Sequence, residues 1–125
     1  MGDFYNYGAV AATAAGVNAI PNTQRNIAAN KRVMIRAIRA EAADLQAIPT
    51  GGNAIFNIVA TDPVTAAVIA QFQVILVVPA LGNPVFSDGD RKIYFNSGAN
   101  GAVITVTCTA VINQTISLSY SGKYN

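Results

Sequence analysis

The sequence predicts an all-β protein, an antiparallel β-sandwich of two layers, and three observations carry that expectation. Between Val103 and Ile112 the chain alternates with a period of two: Ile104, Val106, Cys108, Ala110 and Ile112 fall on one face, Thr105, Thr107 and Thr109 on the other. That is how a half-buried strand sorts its side chains. After Asn113-Gln114 the alternation resumes, with Ile116, Leu118 and Tyr120 against Thr115, Ser117, Ser119 and Ser121, so the two runs read as a hairpin over a short turn. Third, strand-like runs recur between turn residues at spacings of roughly 8–12 residues, about seven in all, as in a sandwich.

Residues 1–30 are expected to form an extended N-terminal arm ahead of a β-sandwich domain over 31–125. Gly, Ala, Asn and Thr dominate the arm, and Phe4, Tyr5, Tyr7, Val10, Val17, Ile20 and Ile27 follow neither the helical nor the strand period. A short strand around Ala9 to Thr13 competes locally with an Ala-rich helix over Ala9 to Ala15, and Pro21-Asn22-Thr23-Gln24 signals a loop. So few large side chains bury too little in isolation to offset an ordering cost of roughly 1–2 kcal/mol per residue. Phe4, Tyr5, Tyr7, Ile20 and Ile27 are nevertheless too apolar for a linker that stays in water. The arm is therefore expected to gain order against another subunit, by adding a strand to an exposed sheet edge.

Lys31 to Gln46 admits two readings. On a helical wheel Ile35, Ile38, Ala42 and Leu45 share one face and Arg32, Arg36 and Arg39 another, with Asn30 placed to cap and Pro49 to stop. As a strand, Val33, Ile35 and Ala37 oppose Met34, Arg36 and Ile38, a poorer alternation. A strand over Arg32 to Glu41 is preferred, because the β-rich remainder needs a partner layer and tertiary demand overrides local propensity. Pro49-Thr50-Gly51-Gly52 marks a turn and Ala54 to Thr61 a strand apolar on both sides, closed by Asp62-Pro63. Val64 to Val78 reads as one long strand or two short ones, with Val68, Ala70, Phe72, Val74, Leu76 and Val78 in alternation. Ser87-Asp88-Gly89-Asp90 and Ser97-Gly98-Ala99-Asn100-Gly101 read as turns flanking a strand that contains Ile93 and Phe95.

Composition narrows function. A chain of 125 residues is one domain's worth, and 52% apolar residues against 11% charged is about half the usual charged share. So little charge is expected to mean that part of the surface is covered by other protein; the other reading is a monomer whose surface is polar through Thr, Ser, Asn and Gln. The net charge of +2 does not by itself point to nucleic acid, although Arg25, Lys31, Arg32, Arg36 and Arg39 cluster within fifteen residues. Histidine is absent and cysteine occurs once, which removes Ser-His-Asp and Cys-His triads, cysteine-based metal sites and an internal disulfide. Cys108 lies on an apolar strand face and is expected to be packing.

Asp3, Glu41, Asp44, Asp62, Asp88 and Asp90 sit mostly in turn contexts, and Asp88-Gly89-Asp90 lacks the spaced ligands of a calcium loop. Neither Gly51-Gly52 nor Gly98-Ala99-Asn100-Gly101 leads into a phosphate-binding helix. No catalytic, cofactor-binding or metal-binding residue is assigned, no cofactor is expected, and the chain is expected not to be an enzyme.

From Lys31 onward the order is K-R-V-M-I-R-A-I-R-A, then N-A-I-F-N-I-V-A-T-D after Gly-Gly, then a long apolar strand, then P-V-F-S-D-G-D-R-K-I-Y-F-N-S-G-A-N-G-A-V-I-T-V-T-C-T-A-V. This pattern resembles the small jelly-roll or related β-sandwich proteins of bacteriophage and other virus particles, such as decoration, penton (vertex) and spike-base proteins. The resemblance implies a jelly-roll-like fold and a non-enzymatic virion component, assembling as a homo-oligomer and with other capsid proteins. The subunit-contact candidates are Phe4, Tyr5, Tyr7, Ile20, Ile27, Arg32, Arg36 and Arg39. Two other readings stay open: a ligand- or carbohydrate-binding sandwich, for which Tyr94, Tyr120 and Tyr124 are the candidate platform, and a membrane-associated structural protein using Val64 to Leu81 with the Arg32 to Arg39 cluster.

Overall fold

The computed structural model describes residues 2–11, 16–44, 52–78, 85–110 and 114–125. These form nine strands: β1 (Gly2–Ala11), β2 (Gly16–Ala19), β3 (Arg25–Ile27), β4 (Arg32–Asp44), β5 (Gly52–Thr61), β6 (Val68–Val78), β7 (Val85–Asn96), β8 (Ala102–Ala110) and β9 (Gln114–Tyr124). One sheet runs β1-β9-β4-β7 and the other β2-β8-β5-β6, with β3 pairing β8 beyond the end of β2. Every described pairing is antiparallel.

The pairings are nested along the chain. β1 pairs β9, β2 and β3 pair β8, β4 pairs β7, and β5 pairs β6. The chain is thus one long antiparallel hairpin, turned at the β5–β6 connection and rolled so that successive pairs alternate between two layers. That is a jelly roll. The tip is a tight turn built by one carboxylate: Asp62 Oδ1 accepts the backbone N–H of Val64 at 2.8 Å and of Thr65 at 3.0 Å.

Rolling the hairpin corrects one expectation. β8 and β9 are consecutive and both alternate, yet they do not pair with each other; β8 belongs to one sheet and β9 to the other. Crossing between layers lets Ile104, Val106 and Cys108 enter the core from one side and Ile116, Leu118 and Tyr120 from the other, all of them buried. A flat hairpin would have left both apolar faces on one side, still needing a cover. The Asn113 turn itself lies outside the described residues, as do Ala110 and Ile112 as side chains.

β4 is a strand, and the cause of its helical look is visible. Its register slips against β7 between Arg36 and Ile38 and against β9 between Arg36 and Arg39, where Ala37 has φ 53°. Against β9 this bulge adds one residue to β4 and resets its alternation, while against β7 the extra residues lie on β7. Val33 and Ile35 point inward before it, and Ile38, Ala40 and Ala42 point inward after it. Arg36 and Arg39, three apart, therefore share the outer face.

One further expectation is corrected, and one is met in part. Ser87 to Asp90 is not a turn: β7 runs through it, and the slip against β4 falls there, Arg36 facing Lys92 but Ile38 facing Asp88. Of Val64 to Leu81, the part from Val68 to Val78 is a strand paired along its length with β5, and no helix long and apolar enough to cross a membrane occurs among the described residues.

Within residues 1–30, β1 forms an edge of the four-stranded sheet and β2 and β3 together an edge of the other. Strand addition does satisfy these backbone groups, but the edges belong to the same chain. Phe4, Ile20 and Ile27, expected to be buried against another subunit, are buried in the chain's own core.

Candidate functional site

The outer face of the four-stranded sheet gathers residues that are scattered in sequence. Along β1, Phe4, Asn6 and Gly8 point inward while Asp3, Tyr5, Tyr7 and Ala9 point outward. Register then sets the rows across the sheet. Tyr5 faces Ser121, which faces Arg36, which faces Lys92; Tyr7 faces Ser119, which faces Arg39. In the neighbouring row Asp3, Lys123, Met34 and Tyr94 stand side by side. Arg32 lies one step further, opposite Asn96.

Five of the chain's eight cations, Arg32, Arg36, Arg39, Lys92 and Lys123, stand on this one face. Among the described residues the ion pair here is Arg39 to Glu41, at 3.7 Å with both ends well exposed. Tyr5 is 65% exposed, Tyr7 55% and Tyr94 63%. The sheet is therefore an aromatic and cationic plate, with serines between its tyrosine and arginine columns.

The edge that carries the tyrosines is held from beneath. Asn6 is buried, donates to the carbonyls of Asn22 and Gln24 at 3.2 and 3.4 Å, and accepts from Arg25 Nε at 3.1 Å. The buried Tyr120 hydroxyl donates to the Thr23 carbonyl, and Thr23 Oγ1 donates to the Ile20 carbonyl at 2.6 Å. Arg25 also lies over the Phe4 ring, 5.4 Å from its centre. Gly8 is required by close approach: a Cβ there would sit 1.8 Å from the Pro21 carbonyl oxygen. The loop from Ile20 to Gln24 thus clamps β1 from the inner side and leaves its outer side chains free.

The outer face of the five-stranded sheet has the opposite chemistry. Its rows run Val17, Thr109, Ile55, Ile75, then Ala19, Thr107, Asn57, Gln73, then Thr105, Val59, Gln71. No charged residue stands in these rows, and Val17 is 73% and Ile75 55% exposed.

Of the subunit-contact candidates, Tyr5, Tyr7, Arg32, Arg36 and Arg39 come together on one face, whereas Phe4, Ile20 and Ile27 are interior. Lys92, Lys123 and Met34 join that face through cross-strand register, a signal that pattern within one strand does not carry. Of the candidate sugar platform, Tyr120 is buried, Tyr124 is half-buried and stacks on Phe4 with ring centres 6.4 Å apart, and Tyr94 is exposed. A shallow cleft of about 180 Å³ is lined by Arg32, Met34, Tyr94, Lys123, Tyr124 and Asn125, so that Tyr94 and Tyr124 border the same hollow. Cys108 is fully buried, and burial pushes its thiol up to about 12. Burial likewise raises Tyr120 above the usual tyrosine range. Among the described residues no three His, Cys, Asp or Glu converge on a point that could hold a metal ion.

No protein-family model and no curated protein matches the sequence. Similarity appears at the level of fold. A chain from infectious bursal disease virus, Gx strain, superposes with a TM-score of 0.53 at 9% identity, covering 94% of this chain and 32% of that one. An arabinose-bound GH51 α-L-arabinofuranosidase gives 0.47 at 10% identity, over 90% of this chain and 18% of that one. A chain of the cyanophage Pam1 capsid gives 0.42 at 14% identity, over 98% and 84%. Carbohydrate-binding modules are also among the similar structures. This chain spans less than a third of the viral chain and under a fifth of the arabinofuranosidase. What the viral chain at 0.53 shares with it is the fold, a jelly-roll sandwich.

Proposed function

We propose that this protein is a non-enzymatic structural component of a virus particle, a minor capsid, penton or decoration subunit that assembles through contacts with copies of itself and with other capsid proteins. The observation that carries this reading is the uncharged outer face of the five-stranded sheet. A surface of Val, Ile, Thr, Asn and Gln without charge can be covered by protein with no ion left unpaired, and charge is what such contacts deplete at their centres. It also accounts for the low charge of the chain: the cations are displaced to the opposite face. The virus structure at TM-score 0.53 supports the fold side of this reading.

The test is light scattering with size-exclusion chromatography and negative-stain microscopy on the whole chain, beside Thr107→Lys and Asn57→Asp. Both positions lie in the middle of the uncharged face. The expected result is a closed oligomer or particle that either substitution dissociates while the melting temperature is kept. A monomer at every concentration, or an oligomer indifferent to both charges, overturns the proposal.

A further inference from the structure

We propose that the outer face of the four-stranded sheet binds single-stranded nucleic acid. Arg36 and Lys92 are direct cross-strand partners, and Lys123 lies diagonally next to Arg36. Like charges placed opposite on a sheet destabilise it; Lys123 has Asp3 as its cross-strand partner, but Arg36 and Lys92 face each other, and among the described residues no carboxylate stands opposite either of them. Such an arrangement is relieved when an anion lies across the row.

The shape of the face specifies which anion. In two successive rows the order is tyrosine, serine, arginine: Tyr5, Ser121, Arg36 and Tyr7, Ser119, Arg39. The short serines, Ser119 buried and Ser121 half-buried, stand between a column of exposed aromatic rings and a column of guanidinium groups. Two interstrand spacings set those columns about 10 Å apart. A polyanion with flat side groups fits both columns, its phosphates along the arginines and its bases against the tyrosines, the combination by which single strands are held without sequence preference. An acidic peptide would engage the arginines and leave Tyr5 and Tyr7 without a role. The bulge at Ala37 contributes directly, because without it residues 36 and 39 would face opposite sides.

The test is fluorescence anisotropy of labelled single-stranded 15-mers, oligo-dT and oligo-rU, titrated with the whole chain at a series of salt concentrations. With Arg32, Arg36 and Arg39 each on a phosphate, the slope of log K against log salt is about −2, at roughly −0.7 per phosphate for a single strand. Tyr5→Ala with Tyr7→Ala should weaken binding by at least about tenfold, and Arg36→Gln with Arg39→Gln should flatten the slope by about 1.4. Val64→Ser at the exposed β5–β6 tip, outside both outer faces, should change neither. All these side chains are solvent-facing, and a circular-dichroism melt of each variant checks the fold; Lys92→Gln serves if either arginine variant unfolds. No binding at 50 mM salt overturns the proposal. So does binding that ignores the tyrosines and is displaced as readily by poly-glutamate or heparin as by unlabelled oligonucleotide, for that is a general anion surface.

Discussion

Ala37 offers the sharpest check on the β4 bulge, because two substitutions there should move stability in opposite directions. Its φ of 53° is in the left-handed region, where an L-residue with a Cβ is disfavoured relative to glycine by roughly 1–2 kcal/mol. Ala37→Gly removes that cost but gives the unfolded chain more freedom, worth about 0.4–1 kcal/mol against folding. The net expectation is a gain of about 0.5–1 kcal/mol from those two terms. A 125-residue chain unfolds with an entropy of about 0.26 kcal/mol/K, so Tm should rise by about 2–4 °C. Ala37→Val places a β-branched side chain in the same conformation and should lower Tm by at least about as much. The side chain is exposed, so neither change is confounded by core volume. Thermal melts by circular dichroism decide it. If glycine destabilises, or if valine is tolerated as well as alanine, β4 has no left-handed residue at 37 and the phase reset needs another explanation.

Two further predictions rest on the core. Burial raises the Cys108 thiol from 9.0 to about 12, so the unfolded chain loses this proton first as pH climbs; stability is full below pH 9 and should fall by about 1.4 kcal/mol per unit between pH 9 and 12 from this group. Urea melts across that range should show a shallower decline in Cys108→Ala, which should itself cost about 1–2 kcal/mol at neutral pH; equal slopes would mean that the thiol is not buried. Deleting residues 1–11 removes an edge strand together with Phe4, whose loss alone should cost about 3–5 kcal/mol of the 5–15 typical of a domain. The truncated chain should lose its cooperative melt, and a truncated chain that stays folded but no longer assembles would restore the arm.

The alternating runs were legible because their inward positions are apolar: Ile104, Val106 and Cys108 in β8, and Ile116, Leu118 and Tyr120 in β9. β1 was not legible, and the reason is chemical. Its inward positions are held by Phe4, Asn6, Gly8 and Val10 and its outward ones by Tyr5, Tyr7 and Ala9, so hydrophobicity runs partly against burial. Asn6 is inside because the Ile20–Gln24 loop presents carbonyls for it to bond, and Gly8 because that loop passes too close for a Cβ. Both facts depend on a segment more than ten residues away, and no local period encodes them. The β8–β9 connection was misread for a related reason: alternation reveals which face of a strand is buried, but not which sheet the strand joins.

The candidate surfaces divide along the same line. The Arg32, Arg36, Arg39 series shows in sequence because those residues are neighbours, but it looked helical, since a spacing of four then three mimics a helix face. Once the bulge converts that spacing into a column on a strand, its partners follow from register: serines on one side and Lys92 and Tyr94 on the other. Charge thereby separates by sheet, with five cations on one outer face and none among the rows of the other. A subunit whose uncharged side meets protein and whose cationic, tyrosine-bearing side meets a polyanion would have the polarity of a shell wall. Because the two faces share no side chain, that polarity can be taken apart experimentally: Thr107→Lys should abolish assembly and spare oligonucleotide binding, and Tyr5→Ala with Tyr7→Ala should do the reverse.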